Sequence, residues 1–482
     1  MVHNQLHVID LIIIAAYLIS MVLIGVVVVK KVQSMDDYYL GGRSFGPLVL
    51  MATVCATIIG GSGLMGRAGV AYSSGFKAIM TALPYLLGMF IFSGFAGRIS
   101  AVGTTFHVTS IPDLFEQRFG KTTKVILGGL IAFTMMGTVA SQVTATATII
   151  NMLGNEIGLS YEMGALIACV VFIVYTATSG LFGVVYTDVL QFYMLIVFVY
   201  ILIPASSLVK LGGIGNFVQN LAPELAKPYI DGGIVGDIIT YFVFTLAGAE
   251  MWQRAFAAKD KKSAKRGMFW GTAVYGVTIA LLFLMGLAAQ QILPNVVEEF
   301  GTADAVIPAL AIKILPPGLT GLALSGILSV MMSTADSYLL SSATNLTNDI
   351  YVKYIRKDAT DKQKMLVLRG TIVVFSVIAV ALTLYFPTVL SLQMTAYTMY
   401  GAAITPAILF ALFSKKVTPA AGIAGILVGG LATIVWTLMG TPYGIQCAIV
   451  AVPASVIAIL VVSAVTPKGE AARSLDALYQ EK

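Results

Sequence analysis

The chain has 482 residues, 58% of them hydrophobic and only 11% charged, with a mean hydropathy of +0.90 and a net charge of +6. About a quarter of the residues of a soluble domain are charged, so this composition excludes a string of water-soluble domains and makes lipid the solvent for most of the chain. The positive balance does not mark a nucleic-acid binder, because the basic residues fall in short loops between apolar runs and form no single stripe.

In chain order, apolar runs long enough to cross a hydrocarbon core of about 30 Å as helices fall at 8–29, 47–67, 75–97, 125–152, 161–179, 184–208, 235–256, 268–292, 318–346, 367–386, 389–413, 419–439 and 444–466, here spans 1 to 13. Span 1 opens with Asp10, has no basic stretch before it and meets Lys30-Lys31 without a small-residue cleavage site, so it reads as a retained span and not a signal peptide. An N-terminus outside the cell places 24 of the 29 Lys and Arg on the inner side. Among them are Lys30, Lys31, Arg43, Lys124, Arg254, Lys353, Lys415, Lys416, Lys468, Arg473 and Lys482, which is the positive-inside pattern of a multi-pass cell-membrane protein. Cys55, Cys169 and Cys447 lie inside apolar runs without C-x-x-C spacing and read as packing residues.

Two spans read as broken. Span 2 contains Ile59-Gly60-Gly61-Ser62-Gly63, and span 7 contains Leu246-Ala247-Gly248-Ala249-Glu250. Glycine weakens a helix interior, and backbone freed at membrane depth survives only beside protein or a water-filled cavity. The breaks lie five spans apart, an odd number, so residues 47–208 and 235–413 are expected to form two halves inverted in the membrane. Residues 8–29 then add an extra N-terminal helix, 419–466 two C-terminal helices and 467–482 a cytoplasmic tail. Interrupted helices at matching positions of inverted repeats point to a transporter's substrate site; the competing reading is glycine for close helix packing.

Span 9 carries Met332-Ser333-Thr334-Ala335-Asp336-Ser337, then Ser341, Ser342 and Thr344. Sodium stripped of water needs about five or six oxygens, and adjacent hydroxyls together with carbonyls freed by a broken helix are a source of them. Alternatively these hydroxyls bond the carbonyl one turn back. Asp188, an acid in an apolar span, is a functional residue by default, for an ion, a proton or a structural hydrogen bond. His3, His7 and His107 lie at span ends or in loops, so no histidine is placed to serve a buried nucleophile or midplane metal, and no enzyme is expected.

Four stretches resemble one family in its own order: Gly41-Gly42-Arg43-Ser44-Phe45-Gly46-Pro47; Gly180 through Thr187-Asp188 to Gln191; Gln253-Arg254 with Ala257-Ala258-Lys259-Asp260; and the S-T-A-D-S-x-L-L run from Ser333, ending in Asn348-Asp349-Ile350-Tyr351. On these the chain resembles the sodium:solute symporter family. The resemblance implies an all-α membrane protein of about 13 transmembrane helices, with a 5+5 inverted repeat of the LeuT-like type and two broken helices. It implies a sodium site between spans 2 and 9, with hydroxyls from Ser333 and Thr334 and carbonyls from Ala56, Ile59 and Val330. It raises a second sodium at Asp188 and Ser337, as in some members, whereas the span 2 aspartate of other members is here Ile58.

The solute is expected between the two breaks, with Thr57, Gly60, Gly61, Ser62, Tyr85, Ser141, Gln142, Thr146, Tyr241, Phe244, Thr245, Glu250, Gln393, Tyr397 and Tyr400 as facing candidates. Each also reads as core packing. Glu250 suits an amine or a bond to Gln253 or Arg254; Arg67 suits a carboxylate or a pairing with Glu298 or Glu299. The expected function is sodium-coupled import of a small organic solute, an amino acid, monocarboxylate or related metabolite, by alternating access across the bilayer, with no nucleic-acid partner. A proton-coupled carrier using Asp188 and a transporter-like sensor are the alternatives, and the residues leave solute, stoichiometry and oligomeric state open.

Overall fold

The computed structural model describes residues 6–28, 34–154, 160–227, 232–384, 389–414 and 416–467. Lys30, Lys31, Lys415, Lys468, Arg473 and Lys482, and with them the expected tail beyond residue 467, lie outside the described residues. Among those described, no strand is present and twelve helices are long and apolar enough to cross a membrane. The place of span 5 is taken by a shorter apolar helix, Tyr161–Val174. It is part of a longer helical stretch, Tyr161–Met194, that breaks at Gly180 (φ 57°, ψ −164°). Residues there pack against the ring of Tyr38, which a β-carbon at Gly180 would meet at 2.7 Å.

Both expected breaks are present. Span 2 runs from Pro47, leaves helical geometry at Gly60 (φ 52°, ψ 171°) and resumes through Ser62–Gly66 into Arg67–Ser74. Span 7 breaks at Gly248 (φ −52°, ψ 113°), between Gly232–Ala247 and Ala249–Phe256. A short parallel bridge shows how the two lie. Phe45, just before span 2, accepts from the Lys259 amide at 3.1 Å and donates to the Ala257 carbonyl at 3.3 Å, just after span 7. Span 2 therefore starts on the face where span 7 ends, and the leading helices of the two halves run in opposite directions, as inverted repeats require. Arg43 fastens the same corner by donating to the carbonyls of Phe256 and Val108.

Span 9 (Leu319–Ile355) is the central helix: 89% of its most apolar window is buried, against 28% for span 1 at the periphery. Its small hydroxylated residues let spans 1, 2, 4 and 6 close around it. Peripheral helices instead turn large apolar side chains outward, among them Ile12, Ile19 and Leu23 on span 1 and Leu431 and Val435 on span 12, the face that lipid would cover. Asp10 of span 1 is buried, and its Oδ1 accepts from the amides of Gly318 and Gly321, both at 2.7 Å. An acid is thus placed on the unpaired amides at the start of span 9, where the helix dipole favours negative charge.

The other end of span 9 is held by a buried charge cluster. Lys124 pairs with Asp113, with Glu116 at 3.3 Å and with Asp349 at 3.1 Å, and Ser110 donates to Asp349 at 2.8 Å. Burial pushes the Asp113 carboxyl up, but the Lys124 charge and hydrogen bonds from Lys124 and Thr109 outweigh it and hold the group below the usual carboxylate range. Lys124, counted in sequence as a flanking charge, is interior, and so is Arg118.

Candidate functional site

An unbroken helix would use the Thr57 carbonyl for the Gly61 amide four residues on. Because Gly60 adopts a left-handed φ, the Gly61 amide turns instead to Gln142 Oε1 at 2.7 Å. The freed Thr57 carbonyl accepts from Thr334 Oγ1 at 3.2 Å. One step along, Ser333 Oγ lies 3.1 Å from the Ala56 carbonyl and 3.1 Å from that of Val330. Of the five expected sodium ligands, Ala56, Val330 and Ser333 are brought to one point, with Thr334 on the neighbouring carbonyl and Ile59 buried beside the break. The arrangement is a set of carbonyl and hydroxyl oxygens at a helix break; a hydroxyl that donates here can rotate to turn a lone pair toward a cation.

Gly60 cannot readily be replaced. Its φ of 52° disfavours any side chain, and a β-carbon would stand 3.2 Å from Thr334 Oγ1. Gly60→Ala is expected to cost about 1–3 kcal/mol in backbone strain and to push Thr334 off the Thr57 carbonyl. A lowered melting temperature of the purified variant checks this; an unaltered one would count against the geometry.

Seven of the fifteen expected solute-facing residues, Tyr85, Tyr241, Phe244, Glu250, Gln393, Tyr397 and Tyr400, gather in one largely aromatic cluster beside the span 7 break. Phe244 stacks on Tyr397 with ring centroids 3.5 Å apart, Tyr85 lies 6.5 Å from Tyr397, and Tyr241 packs edge-on against both Tyr85 and Tyr397. Gln393 donates to the Tyr397 hydroxyl, and Tyr400 donates to the Ala247 carbonyl at 2.8 Å, beside the span 7 break. Glu250 accepts from Tyr338 at 3.2 Å. Other candidates are placed as packing. Thr245 bonds the Phe242 carbonyl and presses on Gly88, Ser141 bonds Thr138, Thr146 bonds the Gln142 carbonyl, and Ser62 is buried in the first turn after the break.

A family model described as the sodium:solute symporter family matches residues 38–429. The chain belongs to the sodium:solute symporter family. It is thus a carrier that couples a small solute to sodium. This symporter is 29% identical over 439 residues to an osmoregulated proline transporter, OpuE, of Bacillus subtilis (strain 168), covering 88% of each chain. It is also 29% identical to a sodium/proline symporter of Escherichia coli (strain K12), over 88% of this chain and 87% of that one. Among solved structures, it matches a Na+-coupled sialic acid symporter in an outward-open state with a TM-score of 0.79 at 20% identity, over 95% of this chain and 98% of the other. At that identity the match speaks for the fold, which is LeuT-like.

What sequence reasoning missed in this symporter is the partner of Asp188. Arg254, counted as a loop charge, is fully buried and reaches Asp188 Oδ2 at 3.0 Å, Ser337 Oγ at 2.7 Å and Thr57 Oγ1 at 2.5 Å through one nitrogen. Its Nε donates to Thr53 at 2.9 Å, and Thr53 in turn donates to Asp188. Asp188 and Ser337 are therefore brought together with a guanidinium between them. The signal was present: an acid at membrane depth demands a partner, and Arg254 stands in a motif shared with the family. Arg67, expected near Glu298 or Glu299, instead bonds Tyr275 and lies 4.6 Å from the centroid of the Tyr241 ring. Gln253, offered as a partner for Glu250, donates to the Tyr39 carbonyl.

Proposed function

We propose that this symporter imports a small organic solute by alternating access, with sodium held by the Ser333 and Thr334 hydroxyls and the carbonyls of Ala56, Ile59 and Val330. The observation that carries the reading is the convergence of Ser333 on the Ala56 and Val330 carbonyls beside the Gly60 break. A sodium ion there bridges spans 2 and 9, replaces its lost water with backbone and hydroxyl oxygens, and favours the conformation in which the solute pocket is complete. Coupling free energy is reciprocal, so the solute tightens sodium binding in return. With the N-terminus outside, the membrane potential adds about 2.3 kcal/mol per charge per 100 mV to inward movement.

At Asp188 and Ser337 the positive charge is Arg254, so a second sodium there requires the guanidinium to leave, and a proton relay through Asp188 competes with the same ion pair. The relatives named as proline carriers favour amino acids among the solutes expected. The test is a panel of amino acids, monocarboxylates and sugars scored by thermal stabilisation of the purified protein with and without sodium, followed by uptake into proteoliposomes. Stabilisation and uptake that both require sodium are expected; solute uptake indifferent to sodium would overturn the reading.

A further inference from the structure

Glu250 sits two residues past the span 7 break and is 1% exposed. Its Oε1 accepts from Tyr338, and its Oε2 has no hydrogen-bond partner. Among the described residues no ion pair is made with its carboxylate. The nearest cation, Arg254, donates only to the Glu250 backbone carbonyl, and its Nε and Nη2 are spent on Thr53, Thr57, Ser337 and Asp188. Since a buried carboxylate without a counter-charge is costly, one that is retained at a helix break implies a partner arriving from elsewhere.

The surroundings specify that partner. Tyr338 and Tyr397 bring their hydroxyls within 3.3 Å, and Gln393 donates to Tyr397 while its buried Oε1 has no hydrogen-bond partner. One tyrosine pair thus links two orphaned acceptors, Glu250 Oε2 at one end and Gln393 Oε1 at the other. Two free acceptors beside a buried carboxylate complement a group that donates, and an ammonium is such a group; the Arg67 Nε, also without a partner, lies on the far side of the Tyr85 and Tyr241 rings. The walls are the rings of Phe244, Tyr397 and Tyr85, whose faces attract organic cations. A second sodium would need five or six oxygens, more than an aromatic wall supplies. A cleft of about 190 Å³, lined in part by Lys77, Thr81, Asp237 and Tyr241, borders this cluster, and Tyr241 packs on Tyr85 and Tyr397.

We propose that Glu250 is the anionic anchor of the solute pocket and that the carried solute bears a primary or secondary ammonium, received by Glu250 and Gln393 once the Phe244–Tyr397 stack parts. This rests on the symport reading and narrows its solute.

The experiment compares amino acids with their deaminated carboxylic acids and with sugars, by sodium-dependent stabilisation of the full-length purified protein and competition for uptake in proteoliposomes. In the wild type, amine-bearing members are expected to stabilise and their deaminated counterparts not. Glu250→Gln, close in shape, is expected to raise the half-saturating concentration of the amine-bearing solute about tenfold or more while the sodium dependence of uptake keeps its steepness. Glu250→Asp, which retains the charge, is expected to keep the preference for amines and serves if the first variant folds poorly. Deaminated acids or sugars binding as well as amines, no amine-bearing member binding, or an unchanged solute affinity in Glu250→Gln would overturn the assignment. So would a fall in the steepness of sodium dependence without a change in solute selectivity, which would give Glu250 to an ion. Uptake that ignores sodium altogether would instead sink the symport reading.

Discussion

Replacing Ser333 and Thr334 together with alanine is expected to raise the sodium concentration for half-maximal uptake by about a hundredfold. Each hydroxyl facing a cation is worth about 1.5–3 kcal/mol, and two at the low end amount to roughly two decades. Both side chains are fully buried against span 2, and alanine leaves the Ala56 and Thr57 carbonyls without those donors, so some loss of thermal stability accompanies the change. The diagnostic measurement is therefore uptake by proteoliposomes against external sodium at matched protein density. A shift to higher sodium with the same maximal rate fits the ion site, whereas a loss of maximal rate alone, at unaltered sodium demand, would remove both residues from it.

The second large effect is expected at Arg254. Removing one partner of a buried ion pair strands the other charge, at about 3–5 kcal/mol. In Arg254→Met that charge is Asp188, held at zero exposure, and Thr57, Ser337 and Thr53 lose a donor at the same time. The variant should show a markedly lower melting temperature in detergent and reduced abundance in the membrane. Arg254→Met combined with Asp188→Leu, which removes both charges, should recover much of that stability without restoring transport. If the single variant melts like the wild type, the pair is not the clamp that its burial suggests.

How far the amino-acid sequence revealed this molecule depends on the range of the interaction. Gly60 and Gly248 were legible because a helix break is a local event, written in neighbouring glycines. The pairing of Ser333 with Ala56 was reachable only through resemblance, since those residues are 277 positions apart. Arg254 was misplaced for a definite reason: near the end of an apolar run, a basic residue looks the same whether it flanks the membrane or turns back into the protein. Lys124 was miscounted in the same way, and its acidic partner Asp349 lies at the far end of span 9. The roles of Tyr338 and Gln393 depend on hydroxyl and amide directions that no hydropathy pattern records.

Asp10 gives the first helix a purpose that its place at the periphery conceals. Its carboxylate is bound to the amides of Gly318 and Gly321, from which the central helix, span 9, departs. The pseudo-symmetric engine is thus moored at one end by a strut from the first helix. Shortening the amino terminus would leave Ser333 and Thr334 in place and still loosen the axle on which both are mounted.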